Sequence, residues 1–444
     1  CAGGGAFVSG GAGGARAGVS HRRANARHSA RPRVMMAPMR FTLSISLGAI
    51  LLCLTFGGAA QADDAFQQWL QTLWPRAQQL GVSRPVFDAA IRGLEPDYSL
   101  PDLAIPGRAE KAPPGQPEFV QTPGQYLRER TFDRLAARGQ QLAKKYREPL
   151  RRIEKEFGVP GHVVLAIWAR ETDYGGYKLP HDGIQVLATQ AYVGKRKEFF
   201  QNEFLYALKM MQDGASRADM RSSWGGALGL TQFLPSDYYR HAVDFDGDGR
   251  ADIFRSVPDA LASAARQLAG KGWQAGERWA YEVRAPNNAD CSIGTPDVTM
   301  PIGEWLKRGF VPSHGLRLSA TELALPASLL QPEGSYGPSF LTPKNYYVIK
   351  DYNFSDLYVL FVGHLSDRIA GSKSFEASWS KAKQLKTREV EAMQRKLSEL
   401  GLYKDKIDGK AGMLTRAALG AYQKVNGLKV DCWPTAAVLG HMRR

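Results

Sequence analysis

Four cysteines in 444 residues are too few for a fold held together mainly by disulfides. The sequence also lacks an apolar run of about 20 residues, which a membrane-spanning helix requires. The first 62 residues contain seven arginines and no acidic residue, so they carry nearly half of the formal net charge of +15. The rest of the chain is therefore moderately basic. This balance suits an anionic polymer or surface and argues against a nucleic-acid binder.

The N-terminal segment has the features of an export signal. A Gly-, Ala- and Arg-rich stretch precedes the first methionine, Met35, and we expect translation to start near it. Arg40 is the positive flank of a mostly apolar run, 47–56, and small residues ending at Ala62 form a typical cleavage site. The run is too short for the alternative, a membrane anchor. We therefore expect residues 1–62 to be a leader and signal peptide, and the mature protein to be periplasmic.

The remaining chain divides into two predicted domains. Helical periodicity dominates residues 63–370, with a Gly- and Pro-rich portion, 273–345, in which short β-like pieces occur. Residues 371–386 are polar and predict a linker. Residues 387–444 contain three helical segments, which can close one small core. The sequence thus predicts a mainly α (α+β) protein whose large domain contains a small β-containing insertion.

One predicted helix directs a carboxylate toward the interior. Pro160 suits its first turn and Gly175 follows its end. Val164, Ile167 and Glu171 are spaced by three and four residues, so the acid continues the apolar face of the helix. Burial penalises the charged form of a carboxylate, and a general acid working near neutral pH needs this effect. The alternative is that Glu171 pairs with an arginine or caps a structural element.

Two further segments are candidates for a binding site. Residues 223–236 read SWGGALGLTQFLPS; the glycines would let the backbone approach a ligand closely. Gln232 within this segment offers a donor and an acceptor suited to an amide-bearing sugar. Residues 352–358 read YNFSDLY and open a predicted helix, for which Asn353 is a candidate cap. Core packing is the alternative for the tyrosines.

Together the three segments resemble the lytic murein transglycosylase B family. Residues 171–175 match its E-T-x-x-G element, and 226–236 match its G-A-x-G-x-x-Q-F-x-P-S block. Residues 352–358 match its Y-N-x-S-x-x-Y stretch. The resemblance covers about residues 63–370. It implies a lysozyme-like catalytic domain that acts on peptidoglycan glycan strands.

The resemblance also implies a role for each matching residue. Glu171 corresponds to the single acid and base, Ser223 to the serine that orients it, and Gln232 to the contact with the N-acetyl region of the substrate. The other cleft-lining positions are Tyr352, Asn353 and Tyr358. The acid would protonate the β-1,4 linkage between N-acetylmuramic acid (MurNAc) and N-acetylglucosamine (GlcNAc). As a carboxylate it would then accept the proton of the muramyl C6 hydroxyl, which closes a 1,6-anhydro ring without a second carboxylate or any cofactor.

Three other functions compete with this one. The nearest is a goose-type lysozyme-like hydrolase, in which water replaces the C6 hydroxyl. A wall-binding scaffold with an inactive cleft would require Glu171 or Gln232 to be replaced, and both are present. A nucleic-acid binder is disfavoured because much of the excess charge lies in the leader. The expected partners are therefore peptidoglycan glycan strands and other cell-wall enzymes, with no nucleic acid and no integral membrane span.

The segment DFDGDGRAD at residues 244–252 resembles a calcium-binding loop. Acidic residues fall at positions 1, 3, 5 and 9 of an EF-hand pattern, and glycine falls at position 6. Position 12 is Arg255 rather than the usual glutamate, and the family resemblance implies a longer loop with a later ligand. The candidate ligands are Asp244, Asp246, Asp248, Arg250, Asp252 and Asp259. We expect structural calcium of weak affinity; an ordinary Asp/Gly turn is the alternative.

Residues 387–444 are similar to the three-helix peptidoglycan-binding domain of wall enzymes. A helical stripe leads into the glycine turn Asp408–Gly409 and a second helix, as in that domain's repeating pattern. Such a domain would raise the effective substrate concentration for a tethered catalytic cleft. After export, Cys291 and Cys432 remain, and an oxidising compartment would permit a bridge between them.

Overall fold

The computed structural model describes residues 57–105, 121–379 and 385–444, with side chains from Asp64 onward. The chain divides into two compact units, and one of them, Val8–Ala65, lies almost wholly outside the described residues. Most of the predicted leader also lies outside them. The description therefore concerns Phe66–Arg444. No helix within the described ranges is long and apolar enough to cross a membrane.

Three helices open the described chain: α1 (Gly57–Thr72), α2 (Trp74–Gln79) and α3 (Arg84–Ile91). Proline occupies the first turn of α2 and of α3, where its missing N–H costs no hydrogen bond. Phe66, Leu70 and Phe87 are fully buried in a core shared with α8 (Gly183–Val193) and α9 (Lys197–Gln212). The apolar side chains of this amphipathic segment therefore cover one face of α8 and α9.

The larger core forms around one helix. Its helices are α4 (Pro123–Tyr126), α5 (Glu129–Lys145), α6 (Arg147–Phe157), α7 (Gly161–Thr172), α11 (Val257–Gly270) and α15 (Asp356–Ile369). Helix α7 packs against α5, α6, α11 and α15. Because eleven of its twelve residues are buried, it is apolar almost all round rather than on one stripe.

Helix α7 ends where the backbone turns left-handed. Asp173 (φ 50°), directly after Thr172, and Gly175 (φ 75°) adopt this conformation, which stops the helix at Thr172. The Asp173 side chain points out of the core and pairs with Arg134 at 2.9 Å. The C-terminal end of α7 is thus fixed, and with it the direction of Glu171, the residue before Thr172.

The β-containing insertion forms a five-stranded antiparallel sheet. Its strands are β3 (Tyr281–Arg284), β4 (Met300–Pro301), β5 (Val311–Pro312), β6 (Pro326–Leu330) and β8 (Ser339–Thr342), in the order β4-β6-β8-β3-β5. Tyr281 lies opposite Leu341, and Leu341 lies opposite Leu329. These residues enclose Trp305 on the short helix α12 (Ile302–Lys307). The predicted fold class, mainly helical with a small β portion, is confirmed.

Smaller elements complete the large domain. They are β1 (His181–Asp182), β2 (Arg221–Ser222), α10 (Pro235–His241), α13 (Ala320–Ala324), β7 (Pro332–Ser335) and α14 (Lys344–Lys350). Strands β1 and β2 pair antiparallel, with His181 opposite Ser222. This pairing anchors the start of the glycine-rich segment.

Three helices form the C-terminal domain: α16 (Thr387–Glu399), α17 (Met413–Val425) and α18 (Ala436–Met442). Leu397, Leu419 and Leu439 meet in its core. The buried Gln394 accepts hydrogen bonds from the backbone N–H groups of Asp408 and Gly409 at 3.0 and 2.8 Å. The Asp–Gly turn is therefore held from inside the domain.

The C-terminal domain is fastened to the large domain. A disulfide joins Cys291 to Cys432. Beside it, Tyr336 donates a hydrogen bond to Asp431 at 2.7 Å. A buried ion pair forms between Arg416 of α17 and Asp356 of α15 at 2.9 Å. The two domains are thus held in contact rather than joined by a tether alone.

Part of the predicted linker also packs onto the large domain. Phe375 stacks on the buried His364 with ring centroids 3.7 Å apart. The Glu282 carboxylate accepts hydrogen bonds from the backbone N–H groups of Glu376 and Ala377. Residues 371–379 therefore lie against the domain surface, while the predicted domain boundaries stay predictions.

Candidate active site

Glu171 lies on the last turn of α7 with only 3% of its surface exposed. Its Oε1 accepts a hydrogen bond from the Tyr358 hydroxyl at 2.5 Å. Tyr358 belongs to α15, which packs along α7. The apolar spacing that predicted an inward carboxylate is thus matched by the fold.

A cavity of about 280 Å³ opens beside this carboxylate. Glu171 and Gln232 both line it, as the sequence predicts for an acid and a substrate-binding amide. Its aromatic walls are Phe199, Phe233 and Tyr352. No tryptophan of the described residues lines it, so the tryptophans do not supply sugar-stacking surfaces in this cavity.

Thr172 joins the acid helix to the glycine-rich segment. Its hydroxyl donates to the Leu230 carbonyl at 2.7 Å and accepts from the Gly175 N–H at 3.3 Å. The threonine of the E-T-x-x-G element therefore has a structural task. It fixes the distance between Glu171 and the loop that carries Gln232.

The glycines of this segment serve the protein's own packing. Gly226 has φ 79°, and a Cβ there would lie 2.2 Å from Leu187. Gly229 has φ 74°, and a Cβ would lie 2.7 Å from the Ile253 carbonyl oxygen. Protein atoms therefore occupy the space that a side chain would need at both positions, so these glycines have a packing role. The expectation that they bring the backbone close to a ligand stays a prediction. Gly225, by contrast, lines the cavity.

Gln232 is held in a conformation that costs energy. Its φ of 56° lies in the left-handed region, which costs a non-glycine residue roughly 1–3 kcal/mol. Its Nε2 donates to the Gly229 carbonyl at 3.0 Å. The amide is therefore oriented before any ligand binds, and strained backbone of this kind is common at functional sites.

Ser223 is buried next to the glycine-rich turn. Its carbonyl accepts from the Gly226 N–H at 3.0 Å, and its N–H donates to Ala227 at 3.1 Å. The Ser223 hydroxyl forms no hydrogen bond to another described group. Its part in orienting Glu171 stays a prediction.

The two predicted tyrosines occupy different places. Tyr352 lines the cavity, and its hydroxyl donates to the Thr231 carbonyl at 2.6 Å. Tyr358 is 1% exposed and lies behind Glu171 rather than on the cavity wall. The rings stack with centroids 6.4 Å apart. Burial, and then the nearby Glu171 charge, raise the pKa of both tyrosines well above the ordinary value, so both stay protonated donors.

Asn353 does not cap the helix that follows it. Ser355 is the N-cap of α15, and its hydroxyl accepts from the Leu357 N–H at 3.2 Å. The Asn353 side chain accepts from the Ser355 N–H at 3.1 Å and is buried. Asn353 thus supports the turn before the helix, and it is absent from the cavity wall in the described structure.

A second buried acid, Glu203, also lines the cavity and was not among the residues predicted from the sequence. It is 2% exposed, and its two oxygens accept the N–H and the hydroxyl of Ser236 at 2.9 and 2.8 Å. Burial raises the pKa of Glu203, and the two Ser236 hydrogen bonds oppose this rise. The sequence does contain an indication that this acid is buried, because Glu203 falls between Phe200 and Phe204 on the apolar face of α9.

Polar residues complete the cavity opposite Glu171. Asp237 lines it together with Arg240, and the two side chains form an ion pair at 3.2 Å. Lys271 also lines the cavity and donates to the Asp351 carbonyl at 2.8 Å. The wall therefore carries both signs of charge and suits a neutral, polar ligand such as a glycan.

The candidate metal loop brings three carboxylates together. Oxygens of Asp244, Asp246 and Asp259 all lie within 4.8 Å of one another. An oxygen-only set of this kind fits a hard cation such as Ca²⁺, which would relieve the repulsion among the three charges. Asp259, predicted as the late ligand, is buried and also accepts three backbone N–H groups of the loop.

The other three predicted ligands lie outside this cluster. Asp248 accepts a hydrogen bond from the Arg250 N–H at 2.9 Å. Asp252 accepts from the N–H groups of Phe254 and Arg255. The structure thus does not bring the carboxylates of Asp248 and Asp252 into this group, and the part of Arg250, which has no carboxylate, stays a prediction.

Comparisons with known proteins agree with this arrangement. The family model of the transglycosylase SLT domain matches residues 65–367, and that of a peptidoglycan binding domain matches residues 386–442. The chain therefore belongs to the transglycosylase SLT domain family, the class of lytic transglycosylases. The predicted resemblance to murein transglycosylase B, with a C-terminal peptidoglycan-binding domain, is confirmed.

Particular relatives narrow this class. Membrane-bound lytic murein transglycosylase B of Escherichia coli (strain K12) is 30% identical over 228 residues. That alignment spans 51% of this chain and 61% of the relative. Two crystal structures of SltB3 from Pseudomonas aeruginosa, in complex with NAG-anhNAM-pentapeptide and with NAG-NAM-pentapeptide, each have a TM-score of 0.77 and 35% identity. Each covers 85% of this chain and 99% of SltB3.

Proposed function

We propose that this protein is an exported lytic transglycosylase that cleaves the MurNAc–GlcNAc β-1,4 bond of peptidoglycan and leaves a 1,6-anhydro-MurNAc end. The observation that carries the proposal is a nearly dry carboxylate, Glu171, on the wall of a cavity shared with Gln232. Family membership supports the substrate class. The complex of SltB3 with an anhydro-muramyl peptide supports the product.

In the proposed first step, protonated Glu171 donates its proton to the glycosidic oxygen. The C1–O bond breaks, GlcNAc leaves as an alcohol, and the muramyl acetamido group stabilises the positive charge at C1. Glu171, now a carboxylate, takes the proton of the C6 hydroxyl, whose oxygen bonds to C1. The residue ends protonated as it began, so one group serves as acid and then base.

The neighbouring residues give Glu171 a fixed position. Tyr358 donates a hydrogen bond to Oε1 of Glu171, which fixes the orientation of the carboxyl group and therefore of its other oxygen. Thr172 links α7 to the loop that carries Gln232. Gln232 keeps its amide oxygen for the N-acetyl region of the sugar, since its Nε2 already donates to Gly229. Ser223 is proposed to turn its hydroxyl toward Glu171 when substrate binds.

Of the three other acids on the cavity wall, Glu203 and Asp237 are engaged elsewhere, and Asp351 is exposed to solvent. Glu203 holds Ser236 with both oxygens, and Asp237 pairs with Arg240. This leaves the proposed chemistry to Glu171 and favours attack by the C6 hydroxyl over attack by a water activated by a second carboxylate. A goose-type hydrolase would use such a water, so the two functions differ in their products.

Product analysis tests the proposal. Purified protein is incubated with sacculi, and the released fragments are analysed by mass spectrometry. We expect fragments that lack one water relative to a reducing end. Reducing ends in their place would identify a hydrolase and overturn the transglycosylase assignment.

The acid is tested by Glu171→Gln. The amide cannot donate a proton as the acid does, so turnover should fall by about 10²–10⁴-fold or more, with folding and glycan binding kept. Asp173→Asn is the matched control, because Asp173 is an exposed carboxylate two residues further on. Substantial cleavage by pure Glu171→Gln protein would show that another group is the acid.

We also propose that the Asp244–Asp259 loop binds a structural calcium ion. The support is the cluster of Asp244, Asp246 and Asp259. Calcium at about 100 times its Kd should stabilise the fold by about 2.7 kcal/mol relative to EDTA, seen as a higher Tm. Asp246→Asn should abolish this rise, and Asp248→Asn, outside the cluster, should retain it. No difference between calcium and EDTA would identify an ordinary turn.

Export is part of the proposal and is supported by the N-terminal sequence pattern. If residues 1–62 are a leader, protein recovered from the periplasm should begin at Asp63 on N-terminal sequencing. A longer N-terminus on the recovered protein would reject cleavage near Ala62.

A further inference from the structure

Helix α11 carries a buried stripe of polar side chains. Asp259, Ser263 and Gln267 recur at four-residue spacing, which places them on one face of the helix. Their exposed fractions are 0%, 0% and 6%, and the other buried residues of α11 are alanines and leucines. A polar side chain that is buried in this way normally has a hydrogen-bond partner. The burial of each member therefore points to a group that it contacts.

The first two members of the stripe hold the candidate metal loop. Asp259 accepts three backbone N–H groups of that loop. The Ser263 hydroxyl accepts the N–H of Val243, at the start of the loop, at 3.0 Å. Contacts within the protein thus account for the burial of both residues.

Gln267 differs from these two. Its Oε1 is buried and accepts no hydrogen bond from another described group. The residue lies on the last turn of α11 and lines the active-site cavity together with Glu171 and Gln232. A buried amide oxygen without a partner is costly, and exceptions of this kind are expected at functional sites. The wall of the cavity therefore carries an amide that the protein does not engage at its oxygen.

The helix holds Gln267 at a fixed point of the wall. Helix α11 packs against α6, α7 and α10, and α7 carries Glu171. Lys271, four residues further on, also lines the cavity and donates to the Asp351 carbonyl. The terminal torsion of a glutamine has broad preferences, so the amide can turn either its oxygen or its nitrogen toward a ligand. The position thus offers both a donor and an acceptor.

An acetamido group of the substrate complements such an amide. Its carbonyl oxygen accepts a hydrogen bond and its N–H donates one. In the proposed reaction the muramyl acetamido group acts at C1, and Gln232 corresponds to the contact with an N-acetyl region. The cavity has a second amide, and the disaccharide has a second acetamido group, on the GlcNAc unit.

We infer that Gln267 is a substrate-binding residue that hydrogen-bonds the acetamido group of the GlcNAc unit at the scissile bond. The inference rests on the proposed function and goes further, because it names a residue that selects N-acetylated strands. The GlcNAc acetamido group takes no part in bond breaking. The interaction should therefore act on KM rather than on kcat.

The experiment compares glycan strands with intact GlcNAc and strands in which a deacetylase has removed the acetyl group from GlcNAc alone. The measured quantity is the ratio of kcat/KM on intact strands to kcat/KM on deacetylated strands. Gln267→Leu in the full chain should lower this ratio by about 3- to 10-fold, as loss of one neutral hydrogen bond implies. Most of the change should be a higher KM on intact strands.

The Tm without substrate separates this role from a structural one. Gln267→Leu removes a buried oxygen that has no partner among the described groups, so its Tm should equal or exceed that of the unmodified protein. An amide that stabilised the fold would give a lower Tm on removal. Gln267→Met, whose unbranched side chain adapts to irregular space, repeats the measurement if leucine packs poorly. Gln141→Leu is the matched control, because Gln141 is exposed on α5.

Two results would overturn the inference. One is an unchanged ratio in both Gln267 variants. The other is an equal loss on intact and deacetylated strands, which would indicate a hydroxyl contact or, with a lower Tm, a structural role. Absence of anhydro product from the unmodified protein on intact strands would instead reject the proposed function, so the two failures are distinguishable.

Discussion

At the scale of single residues, the proposed chemistry depends on how Glu171 is held. The Tyr358 hydroxyl is its donor, and the ring of Tyr352 stacks beside it. Hydrogen bonds to a charged group contribute more than neutral ones, commonly about 1.5–3 kcal/mol. The buried tyrosine is therefore a positioning residue for the acid.

Tyr358→Phe tests this role. Removing the hydroxyl should lower kcat by about 10- to 100-fold, since the lost interaction is with a buried carboxyl group, while KM changes little. Tyr352→Phe is the matched control, because it also removes one tyrosine hydroxyl. Its hydroxyl contacts a backbone carbonyl rather than the acid, so we expect a smaller loss. Equal kcat values for Tyr358→Phe and the unmodified protein would remove Tyr358 from the mechanism.

Glu203 gives a second residue-scale prediction. Glu203→Ala leaves the Ser236 N–H unsatisfied and a void beside it, which should cost about 2–4 kcal/mol in urea unfolding. It should also raise KM, because the same segment carries Gln232. Glu203→Gln keeps an acceptor and a donor for Ser236, and should restore both properties. If Glu203→Gln lost as much stability and raised KM as much as Glu203→Ala, the hydrogen bonds to Ser236 would not explain the effect of removing Glu203.

Stability should also respond to the Glu203 charge. Because burial raises its pKa in the folded state, the folded state favours the protonated form. Protonated Glu203 stabilises the fold fully at pH values below 4.5, the pKa of the group in the unfolded chain. This stabilisation is lost as the pH rises through the higher pKa of the folded state. The stability of Glu203→Gln relative to the unmodified protein should therefore increase from pH 4 to pH 7, as unfolding at the two pH values would show.

Sequence reasoning found Glu171 because helical spacing fixes the direction of a side chain. It did not find the Glu203–Ser236 pair, whose members are 33 residues apart and meet only in the fold. Its reason for Gly226 and Gly229 was also incomplete. The positive φ angles of these glycines and their contacts with Leu187 and Ile253 depend on tertiary packing, which the local sequence pattern does not predict.

At the scale of elements, α15 joins the acid to the interdomain contact. Tyr358, in the first turn of the helix, reaches Glu171, and Asp356, its first residue, reaches Arg416 of α17. A disturbance at Asp356 thus acts on the domain contact and on the start of the helix that supports the acid. The sequence predicted α15 as a helix but gave no sign of the Asp356–Arg416 pair, since the partners lie 60 residues apart.

Asp356→Asn measures the strength of this contact. The buried Arg416 and the partly buried Lys350 would lose their counter-charge, so the unfolding free energy at pH 7 should fall by about 3–5 kcal/mol. The lowered pKa of Asp356 means that its stabilisation is present above the unfolded value of 3.8 and is lost as pH falls below it. The difference between variant and unmodified protein should therefore shrink in acid.

Asp88→Asn is the control for this pair. Asp88 and its partner Arg84 are both exposed on α3, and surface ion pairs contribute little. We expect a small change of unfolding free energy that is nearly the same at both pH values. A similarly small change for Asp356→Asn would mean that the buried pair does not stabilise the domain contact.

At the scale of the whole molecule, the C-terminal domain is fixed rather than mobile on a linker. Sequence composition predicted a polar linker and a tethered binding domain, because Ser and Lys are the most frequent residues of the segment 371–386. In the fold, Phe375 and Trp379 pack against the large domain, and residues of both domains line a cavity where they meet. The composition of a linker indicates how flexible it would be as a free segment. It does not show whether the segment packs against a neighbouring domain.

The Cys291–Cys432 disulfide gives the last prediction, which concerns both domains together. It closes 141 residues of chain, and the entropy of an unfolded loop of this length corresponds to about 4–5 kcal/mol of stabilisation. Cys291→Ser with Cys432→Ser should therefore lower Tm, and reductant should lower the Tm of the unmodified protein but leave the variant unchanged. Because the buried Asp356–Arg416 pair remains, we expect the domains to stay together at 25 °C and kcat to be retained on peptide-free strands. An unchanged Tm in the variant would show that the disulfide does not stabilise the fold by restricting the unfolded chain.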